Sequence, residues 1–394
     1  MRPFEGIRVI DATHVLAGPF ASYQLALFGA DVIKVEDPNE PDQSRMSGSD
    51  RQLSRDGMGI YYLSQGSNKR SVTLNLKTEG GREAFKRLIK TADVLVENYR
   101  PGAFDALGLG YEALTAIQPR LIYCSISAFG QDGPRGKQTA YDFVIQATTG
   151  LMAMTGTREA NPIKIGAPAI DYATGTMAAF ALASALFQRE RTNKSQHIDL
   201  AMNDVAFMLA ASHVAGYLRT GHPPTPNGND HPHATNCCYQ TRDGLLMLGA
   251  SNLRQQKRLW TLLGRPDMAK ANNDQRHDDK ANEMSVLAEL LRHKTADEWE
   301  AHLQANHVPA ARVRTLPEAL SDPQIASREF LHQHRNVDGV DGGFTVPVAA
   351  FKLAHGTSKV TSAPRALGAD TDAVLKEIGY DSASIARLRA QKSL

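Results

Sequence analysis

The carboxylate of Asp171 stands where a long apolar segment of the sequence begins. Residues 165–187 read IGAPAIDYATGTMAAFALASALF, and no charged residue follows Asp171 within them. An Ala-rich segment without a polar face predicts a helix buried on all sides, and we expect it to be too short and too weakly apolar to span a membrane. Asp171 is then either an N-cap or, if it faces a cleft, an aligned nucleophile. In the second case the helix amides and dipole keep it ionised, and it can form acyl intermediates.

Strands alternate with helices in the part of the chain that must position Asp171. Strands are predicted at residues 7–11, 31–36, 94–96 and 121–126, with helices at 19–28 and 80–89. This alternation indicates a doubly wound parallel sheet, whose ligands bind beyond the carboxyl ends of the strands. We expect five polar residues on that rim, although Lys and Arg there are also typical of solvated surface: His14, Lys77, Asn98, Arg100 and Asp171.

The first strand–helix turn argues against a nicotinamide or flavin site. Residues 16–19 read LAGP and supply one glycine where the dinucleotide fingerprint needs three. Glu36 ends the second strand at the place where such a fold has its ribose-binding acid, and this is the only part of the pattern that fits. A dinucleotide site is therefore disfavoured.

The amino-acid composition limits the class of protein and its possible partners. The chain has 394 residues, 42% hydrophobic and 22% charged, which is typical of a soluble globular protein large enough for two domains. A net charge of +2 from evenly spread residues gives no sign of a nucleic-acid partner. Three cysteines form no disulfide framework, and the N-terminus has no apolar signal region. These features predict a cytoplasmic protein that binds no membrane.

A linker and local turn signals delimit a second domain. Residues 221–228 read GHPPTPNG. Asp243-Gly244 predicts a hairpin between residues 237–240 and 245–248, and Thr295 with Glu298 predicts a capping box. His231, His233 and the adjacent cysteines are a weak metal candidate, because neighbouring cysteines cannot easily bind one tetrahedral ion. We therefore predict no metal site and interpret this stretch as a loop lining an acyl pocket.

Several motifs, in one order along nearly the whole chain, resemble those of the family III CoA-transferases (CaiB/BaiF type). This family includes formyl-CoA and carnitine CoA-transferases and, as a cousin, α-methylacyl-CoA racemase. The similar segments are residues 9–11 (VID), 17–19 (AGP), 29–36 (GADVIKVE), 68–71 (NKRS), 93–102 (DVLVENYRPG), 127–134 (SAFGQDGP), 166–171 (GAPAID) and, near the C-terminus, 367–372 (LGADTD).

The resemblance implies a fold and a domain organisation. The expected fold is α/β, with a doubly wound parallel sheet in a Rossmann-like large domain built from the N- and C-terminal parts, together with a smaller α+β domain. We expect residues 1–221 to form the CoA-binding domain with catalytic Asp171 and a linker, residues 222–325 the small domain, and residues 326–394 the return segment that completes the large domain. The family's interlocked rings imply a homodimer.

The resemblance also assigns site residues. Asp171 falls on the family's catalytic aspartate, which attacks an acyl-CoA thioester and passes through an aspartyl anhydride and an aspartyl-CoA thioester. Coenzyme A enters as part of the substrate, and no prosthetic group is expected. The resemblance implies that nine positions contact CoA: His14, Val15, Leu16, Leu74, Lys77, Asn98, Tyr99, Arg100 and Tyr141. Arg45 is added as a cation that replaces arginines missing at Asp37 and Ala106.

Departures from the family pattern bear on the substrate. Leu16 stands where formyl-CoA transferase has a glutamine and Thr139 where it has a lysine, which makes formate and oxalate unexpected substrates. The racemase branch has a histidine base where this chain has Tyr141, and a phenol with a pKa near 10 is a poor base at neutral pH.

The leading hypothesis is a CoA-transferase acting on an acyl-CoA donor and a carboxylate acceptor. Small dicarboxylates of four or five carbons are expected, with His231, His233 and arginines binding a distal carboxylate; transfer within one molecule is also open. The alternatives are an acyl-CoA racemase or epimerase and a CoA-binding protein without turnover.

Overall fold

A computed structural model describes all residues, 1–394, and divides them into two compact units. The first unit comprises residues 1–151, 164–222 and 324–394, and the second comprises residues 152–163 and 223–323. The sequence division placed residues 152–163 in the large domain, whereas in the structure this short segment packs with the second unit.

Eleven strands and nineteen helices make up the chain. The strands are β1 (Arg8–Ala12), β2 (Asp31–Glu36), β3 (Lys69–Thr73), β4 (Val94–Glu97), β5 (Ile122–Ser127), β6 (Gln196–Ala201), β7 (Cys238–Gln240), β8 (Leu245–Leu248), β9 (Ala310–Arg312), β10 (Leu331–His334) and β11 (Phe344–Pro347).

The helices are α1 (Ala17–Leu27), α2 (Arg51–Arg55), α3 (Ile60–Leu63), α4 (Glu79–Ile89), α5 (Ala103–Ala106), α6 (Tyr111–Thr115), α7 (Asp142–Thr148), α8 (Leu151–Met154), α9 (Ala169–Thr192), α10 (Met202–Leu209), α11 (Ala211–Thr220), α12 (Leu253–Leu262), α13 (Asn273–Asp278), α14 (Lys280–Leu290), α15 (Ala296–Ala305), α16 (Leu316–Leu320), α17 (Pro323–Ser327), α18 (Thr371–Glu377) and α19 (Ser382–Ala390).

A six-stranded sheet organises the first unit. Its strand order is β3-β2-β1-β4-β5-β6, and every neighbouring pair is parallel. Successive strand residues point to opposite faces, so Val9 packs in the apolar cluster on one face and Ile10 in the cluster on the other. The predicted parallel α/β architecture is confirmed, and the order reverses between β1 and β4, where such folds bind ligands.

Helix α9 covers one face of this sheet and packs closely against α1. A Cβ on Gly175 of α9 would lie 2.5 Å from the carbonyl oxygen of Ala17 in α1, so only glycine allows this approach. The close packing brings the first turn of α9 beside the loop that precedes α1. That first turn carries Asp171.

Two expectations for α9 are wrong. It is a 24-residue helix, long and apolar enough to cross a membrane, a property that core helices of soluble proteins share. It is also not buried on all sides, since Phe180 and Phe187 are 67% and 61% exposed. Only one stripe at helical spacing, including Gly175, Ala178 and Leu182, is buried against the unit.

The second unit is built around a small antiparallel sheet of order β7-β8-β9. The predicted hairpin is confirmed as β7 and β8, and the predicted capping box is confirmed at the start of α15, where Thr295 and Glu298 cap reciprocally. Trp260 and Leu303 are among the fully buried residues of its core.

Candidate active site

Two adjoining cavities lie at the carboxyl ends of β1, β4 and β5, entirely within the first unit. One has a volume of about 350 Å³ and is lined by His14, Val15, Asn98, Ser127 and others. The second has a volume of about 410 Å³ and is lined by Leu16, Tyr61, Asp142, residues 164–168 and others. Asp171, Gln43, Val15 and Tyr141 line both cavities. Asp171 therefore lies where a ligand spanning the two would pass.

The carboxylate of Asp171 is buried without a compensating partner. It is 8% exposed, and no ion pair or hydrogen-bond donor within the chain reaches its oxygens. Burial first, and then the negative charge of Asp142, raise the pKa of Asp171 to about 7. Helix amides and the dipole therefore do not keep the pKa of this carboxylate low, contrary to the expectation from the sequence.

Asp142 takes the amides that an N-capping Asp171 would have used. Helix α9 has Pro168 at its N-cap position, without a side-chain cap. Instead Asp142 Oδ2, at the start of α7, accepts the backbone N–H of Ile170 at 2.7 Å and of Asp171 at 3.1 Å. The N-cap interpretation of Asp171 is wrong, because the carboxylate that bonds the first turn comes from another helix.

The loop between β1 and α1 is held rigidly by side chains around it. Asn98 accepts from the backbone N–H of His14 and donates to its carbonyl. Asp42 accepts from the N–H of Val15, and Gln65 donates to its carbonyl. These bonds stabilise Val15 at φ 71°, a left-handed conformation that is strained for a β-branched residue. The cavity wall is thus preformed.

A cluster of buried ion pairs underlies this loop. Lys69 Nζ lies 2.9 Å from Asp11 Oδ2, and Lys34 Nζ lies 2.9 Å from Asp42 Oδ2 and donates to the carbonyl of Thr13. Burial alone would raise the pKa of Asp11, but Lys69 and Lys34 hold it well below its usual range. Lys34 of this cluster also acts on His14: burial first, and then the charge of Lys34, lower the pKa of His14.

The structure brings together six of the sequence-predicted residues. His14, Val15, Leu16, Asn98, Tyr141 and Asp171 line the cavities. The side-chain amide of Asn98 both accepts from the N–H and donates to the carbonyl of His14. Asn98 therefore shapes the cavity wall by holding the loop that contains His14. Tyr99 packs edge-on against His14, with ring centroids 5.0 Å apart.

Four predicted residues lie apart from the cavities. Arg45 is 1% exposed, forms two hydrogen bonds of 2.7 Å with Glu36 and stacks on Tyr62, so its guanidinium is not free for a phosphate and this prediction is wrong. The side chain of Leu74 is in the core beneath β3. Lys77 is exposed and paired with Glu40, and Arg100 is exposed.

Sequence reasoning missed several residues that line the cavities, and three of them have polar or charged side chains next to recognisable features of the sequence. Gln43 follows a proline-rich loop, Asp142 adjoins Tyr141, and Lys164 precedes α9. Asp142 was visible as a neighbour of Tyr141, but no pattern in the sequence showed which way it faces. No group of three His, Cys, Asp or Glu side chains is arranged to hold a metal ion. Cys237 donates a hydrogen bond to Asp230.

A lone carboxylate at the junction of two cavities, at the switch point of a parallel sheet, is the arrangement of a ligand-binding site. The model of CoA-transferase family III matches residues 4–371, and the chain belongs to this family. It is a transferase enzyme of the kind that uses CoA thioesters.

Two relatives and one crystal structure illustrate the similarity. Succinate–glutarate CoA-transferase of Agrobacterium fabrum is 38% identical over 335 residues, covering 83% of this chain and 84% of the relative. Acetyl-CoA:oxalate CoA-transferase of Acetobacter aceti is 37% identical, covering 84% and 85%. A CaiB/BaiF family protein from Brucella suis superposes with a TM-score of 0.82 at 34% identity, covering 96% and 99%.

Proposed function

We propose that this enzyme moves CoA between small dicarboxylic acids, with Asp171 as the covalent nucleophile. The observation that carries the proposal is the Asp171 carboxylate itself, buried at the junction of two cavities and free of any cation or donor. With a pKa of about 7 it is more basic than an ordinary aspartate while a large fraction remains ionised at neutral pH. A basic, ionised and unpaired carboxylate is suited to attack on a thioester.

The proposed reaction has four acyl-transfer steps. An Asp171 oxygen attacks the donor thioester carbonyl, the C–S bond breaks, and CoA leaves as thiolate, giving a mixed anhydride. The thiolate attacks the Asp171 acyl carbon and releases the donor carboxylate, giving an aspartyl-CoA thioester. The acceptor carboxylate attacks the carbonyl of this thioester, the C–S bond breaks to release CoA thiolate again, and a second anhydride forms between the acceptor and Asp171. The thiolate then attacks the acceptor acyl carbon, which releases the new CoA ester and restores Asp171.

Each step passes through a tetrahedral oxyanion that needs hydrogen-bond donors. Helix α1 begins at Ala17 without a side-chain cap, and Ala17 and Leu16 line the cavities on either side of Asp171. We propose that the first-turn amides of α1 stabilise the oxyanion. The rigid loop that precedes them would hold these donors in place before the substrate binds.

The CoA moiety is proposed to follow the rim at the carboxyl ends of the strands. We propose that His14, Val15, Leu16 and Tyr141, which line the cavities, contact pantetheine, together with Tyr99, which packs against His14. Exposed Lys77 and Arg100 are proposed to pair with phosphates. For Leu74 only the backbone is available, because its side chain is 1% exposed. Arg45 is left out of this proposal.

The dicarboxylate class rests on the relatives and on one cation. Lys164 is the only lysine or arginine that lines either cavity, and it can pair with the distal carboxylate of an acceptor whose other carboxylate meets Asp171. The oxalate transferase of Acetobacter aceti, at 37% identity, argues against leaving oxalate out on the strength of Leu16 and Thr139. His231 and His233 lie in the second unit, and their part in substrate binding stays a prediction.

A homodimer and a cytoplasmic location complete the proposal. Large apolar side chains of α9 and α11 are exposed in the single chain, notably Phe180, Phe187 and Leu218, as expected of a surface that another chain covers. Light scattering of the purified protein would contradict the dimer if it gave the mass of one chain. The three cysteines are free, which suits a reducing compartment.

The central test is substitution and trapping of Asp171. Asp171→Ala and Asp171→Asn should lower CoA transfer from succinyl-CoA to glutarate by on the order of 10³-fold or more, because no other group replaces the nucleophile. CoA binding, measured by calorimetry, should stay nearly unchanged. Hydroxylamine or borohydride added to the wild-type enzyme with succinyl-CoA should modify Asp171, as read by peptide mass spectrometry.

Two results would contradict the proposal: modification of a different side chain, or transfer by the Asp171 variants at the wild-type rate. A panel of acceptors sharpens the substrate class, with succinate, glutarate and oxalate compared with propionate. Incubation of the acyl-CoA in deuterium oxide separates the racemase alternative, because only a racemase exchanges the α-proton.

A further inference from the structure

Two side chains on one face of α7 clamp the segment that carries Asp171. Asp142 and Gln146 are one helical turn apart and both are buried. Gln146 Nε2 donates to Asp142 Oδ1 at 2.5 Å, and Gln146 Oε1 accepts the backbone N–H of Ile165 at 2.9 Å. The other Asp142 oxygen accepts the N–H groups of Ile170 and Asp171. The clamp therefore grips both ends of residues 165–171.

We propose that Asp142 is a positioning residue for the acyl-transfer reaction: it aligns the Asp171 carboxylate and places a negative charge without a paired cation beside it. Gln146 fixes the orientation of Asp142. This inference rests on the proposed nucleophilic role of Asp171.

The hydrogen bonds explain the alignment. Four backbone N–H groups at the start of a helix lack partners within it, and in α9 two of them bond to Asp142. Since one of the two belongs to Asp171 itself, the clamp fixes the backbone from which the nucleophilic side chain projects. A shift of about 1 Å at a reacting group is enough to cost on the order of 10²-fold in rate.

The negative charge of Asp142 explains why the Asp171 carboxylate is more basic. A helix N-terminus carries a partial positive charge that would stabilise an ionised Asp171, but Asp142 occupies this end of α9 and offsets it. A like charge nearby disfavours the ionised form of a carboxylate, and it is the second cause, after burial, of the raised pKa of Asp171. The result is a carboxylate that is more basic and therefore more nucleophilic.

Other titratable groups around Asp171 are few. Those that line the same cavities are His14 in the loop before α1, Tyr61 of α3, Tyr141 just before α7 and Lys164 just before α9. Helices α1 and α10 present only apolar residues there, Ala17 and Met202. Asp142 is therefore the one acidic side chain besides Asp171 that faces the cavities.

The test compares Asp142→Asn with Asp142→Ala across pH 5–9. Asparagine keeps an oxygen that can accept both amides and removes the charge, so the fall in transfer rate on the acid side should move to lower pH by about one unit. The rate at its plateau should fall, because the nucleophile becomes less basic. Alanine removes the alignment as well, and kcat should drop on the order of 10²-fold with a smaller change in KM.

Asp50→Asn is the matched control. Asp50 also accepts two first-turn amides, from Gln52 and Leu53 of α2, but it does not line the cavities. Its substitution should leave the pH profile where it is. An acid limb that stays in place in Asp142→Asn, with the fold intact by circular dichroism, would overturn the proposal.

A second measurement does not depend on turnover. The titration of Asp171 can be followed by NMR of the ¹³C-labelled aspartate carboxyl groups, assigned with Asp171→Asn. The Asp171 signal should titrate at lower pH in Asp142→Asn than in the wild type, and an unchanged midpoint would overturn the proposal. If trapping at Asp171 fails, the nucleophile proposal is wrong even where this midpoint moves, whereas successful trapping with an unchanged midpoint overturns the positioning inference alone.

Discussion

Asp11 and Asp171 are both buried carboxylates of the first unit, yet their surroundings are opposite. Asp11, in β1, receives Lys69 Nζ at 2.9 Å, the hydroxyl of Ser22 at 2.6 Å and both the hydroxyl and the N–H of Thr13. Asp171 receives none of these and faces another carboxylate instead. The pKa of Asp11 is pushed well below its usual range, whereas that of Asp171 rises to about 7.

Partners, and not burial, give these two carboxylates different pKa values. Burial raises the pKa of both groups, and at Asp11 the two lysines, followed by the hydrogen bonds from Ser22 and Thr13, reverse this effect. Asp11 holds Lys69, which also donates to the carbonyl of Pro19 in α1, so its task is to fix a helix. Asp171 has no such partner within the chain, as expected of the nucleophile proposed above.

The largest expected effect is the loss of stability in Asp11→Ala. Asp11→Ala should lower the free energy of unfolding by about 3–5 kcal/mol, because it leaves the Lys69 charge buried without its partner. Urea denaturation would measure this loss. Glu83→Ala, which breaks an exposed pair with Lys86, is the control and should cost less than about 0.5 kcal/mol. Equal losses in the two variants would remove the basis of the comparison.

The second prediction is that replacing Asp171 stabilises the folded protein, whereas replacing Asp11 destabilises it. Between its ordinary pKa and about 7 the folded protein keeps a proton that the unfolded chain has lost, so this group's contribution to stability falls as pH rises through that window. Asp171→Asn removes the penalty. Relative to the wild type, the variant should gain roughly 1–4 kcal/mol between pH 4 and pH 8, measured by urea denaturation at both values.

Asp11→Asn provides the contrast in the same experiment. The pKa of Asp11 is depressed on folding, so its stabilisation is present at neutral pH and is lost as pH falls below the ordinary aspartate value. The deficit of Asp11→Asn should therefore be nearly the same at pH 4 and pH 8 and shrink only below about pH 4. Parallel pH curves for the two Asn variants would show that the two carboxylates do not differ as described.

The smallest effect is expected at a single donor to Asp11. Ser22→Ala removes the 2.6 Å hydrogen bond but leaves Lys69 and Thr13 in place. We expect a loss of about 1 kcal/mol in the free energy of unfolding and an unchanged transfer rate. A loss as large as that of Asp11→Ala would mean that the hydroxyl, and not the lysine, dominates.

Much of the sheet was predictable because its signals are local. The strand at Asp31–Glu36 was predicted at its observed bounds, and the hairpin and the capping box were predicted from turn and cap residues that act within a few positions.

Arg45 was mistaken for a CoA ligand because a sequence does not show that Glu36 lies 2.7 Å away. The exposed face of α9 was missed because an Ala-rich helix looks alike whether one or all sides are covered.

The sequence by itself determined the parallel α/β fold, the family and the position of Asp171 at the start of a long helix, since periodicity, turn chemistry and motif order are written in neighbouring residues. Only the tertiary structure decided what surrounds that carboxylate. Asp142 and Asp171 are far apart in the chain, and their Coulombic interaction depends on the distance in space to which α7 and α9 fold them. Because a pKa follows that distance and the burial around it, the pKa of Asp171 was decided by packing.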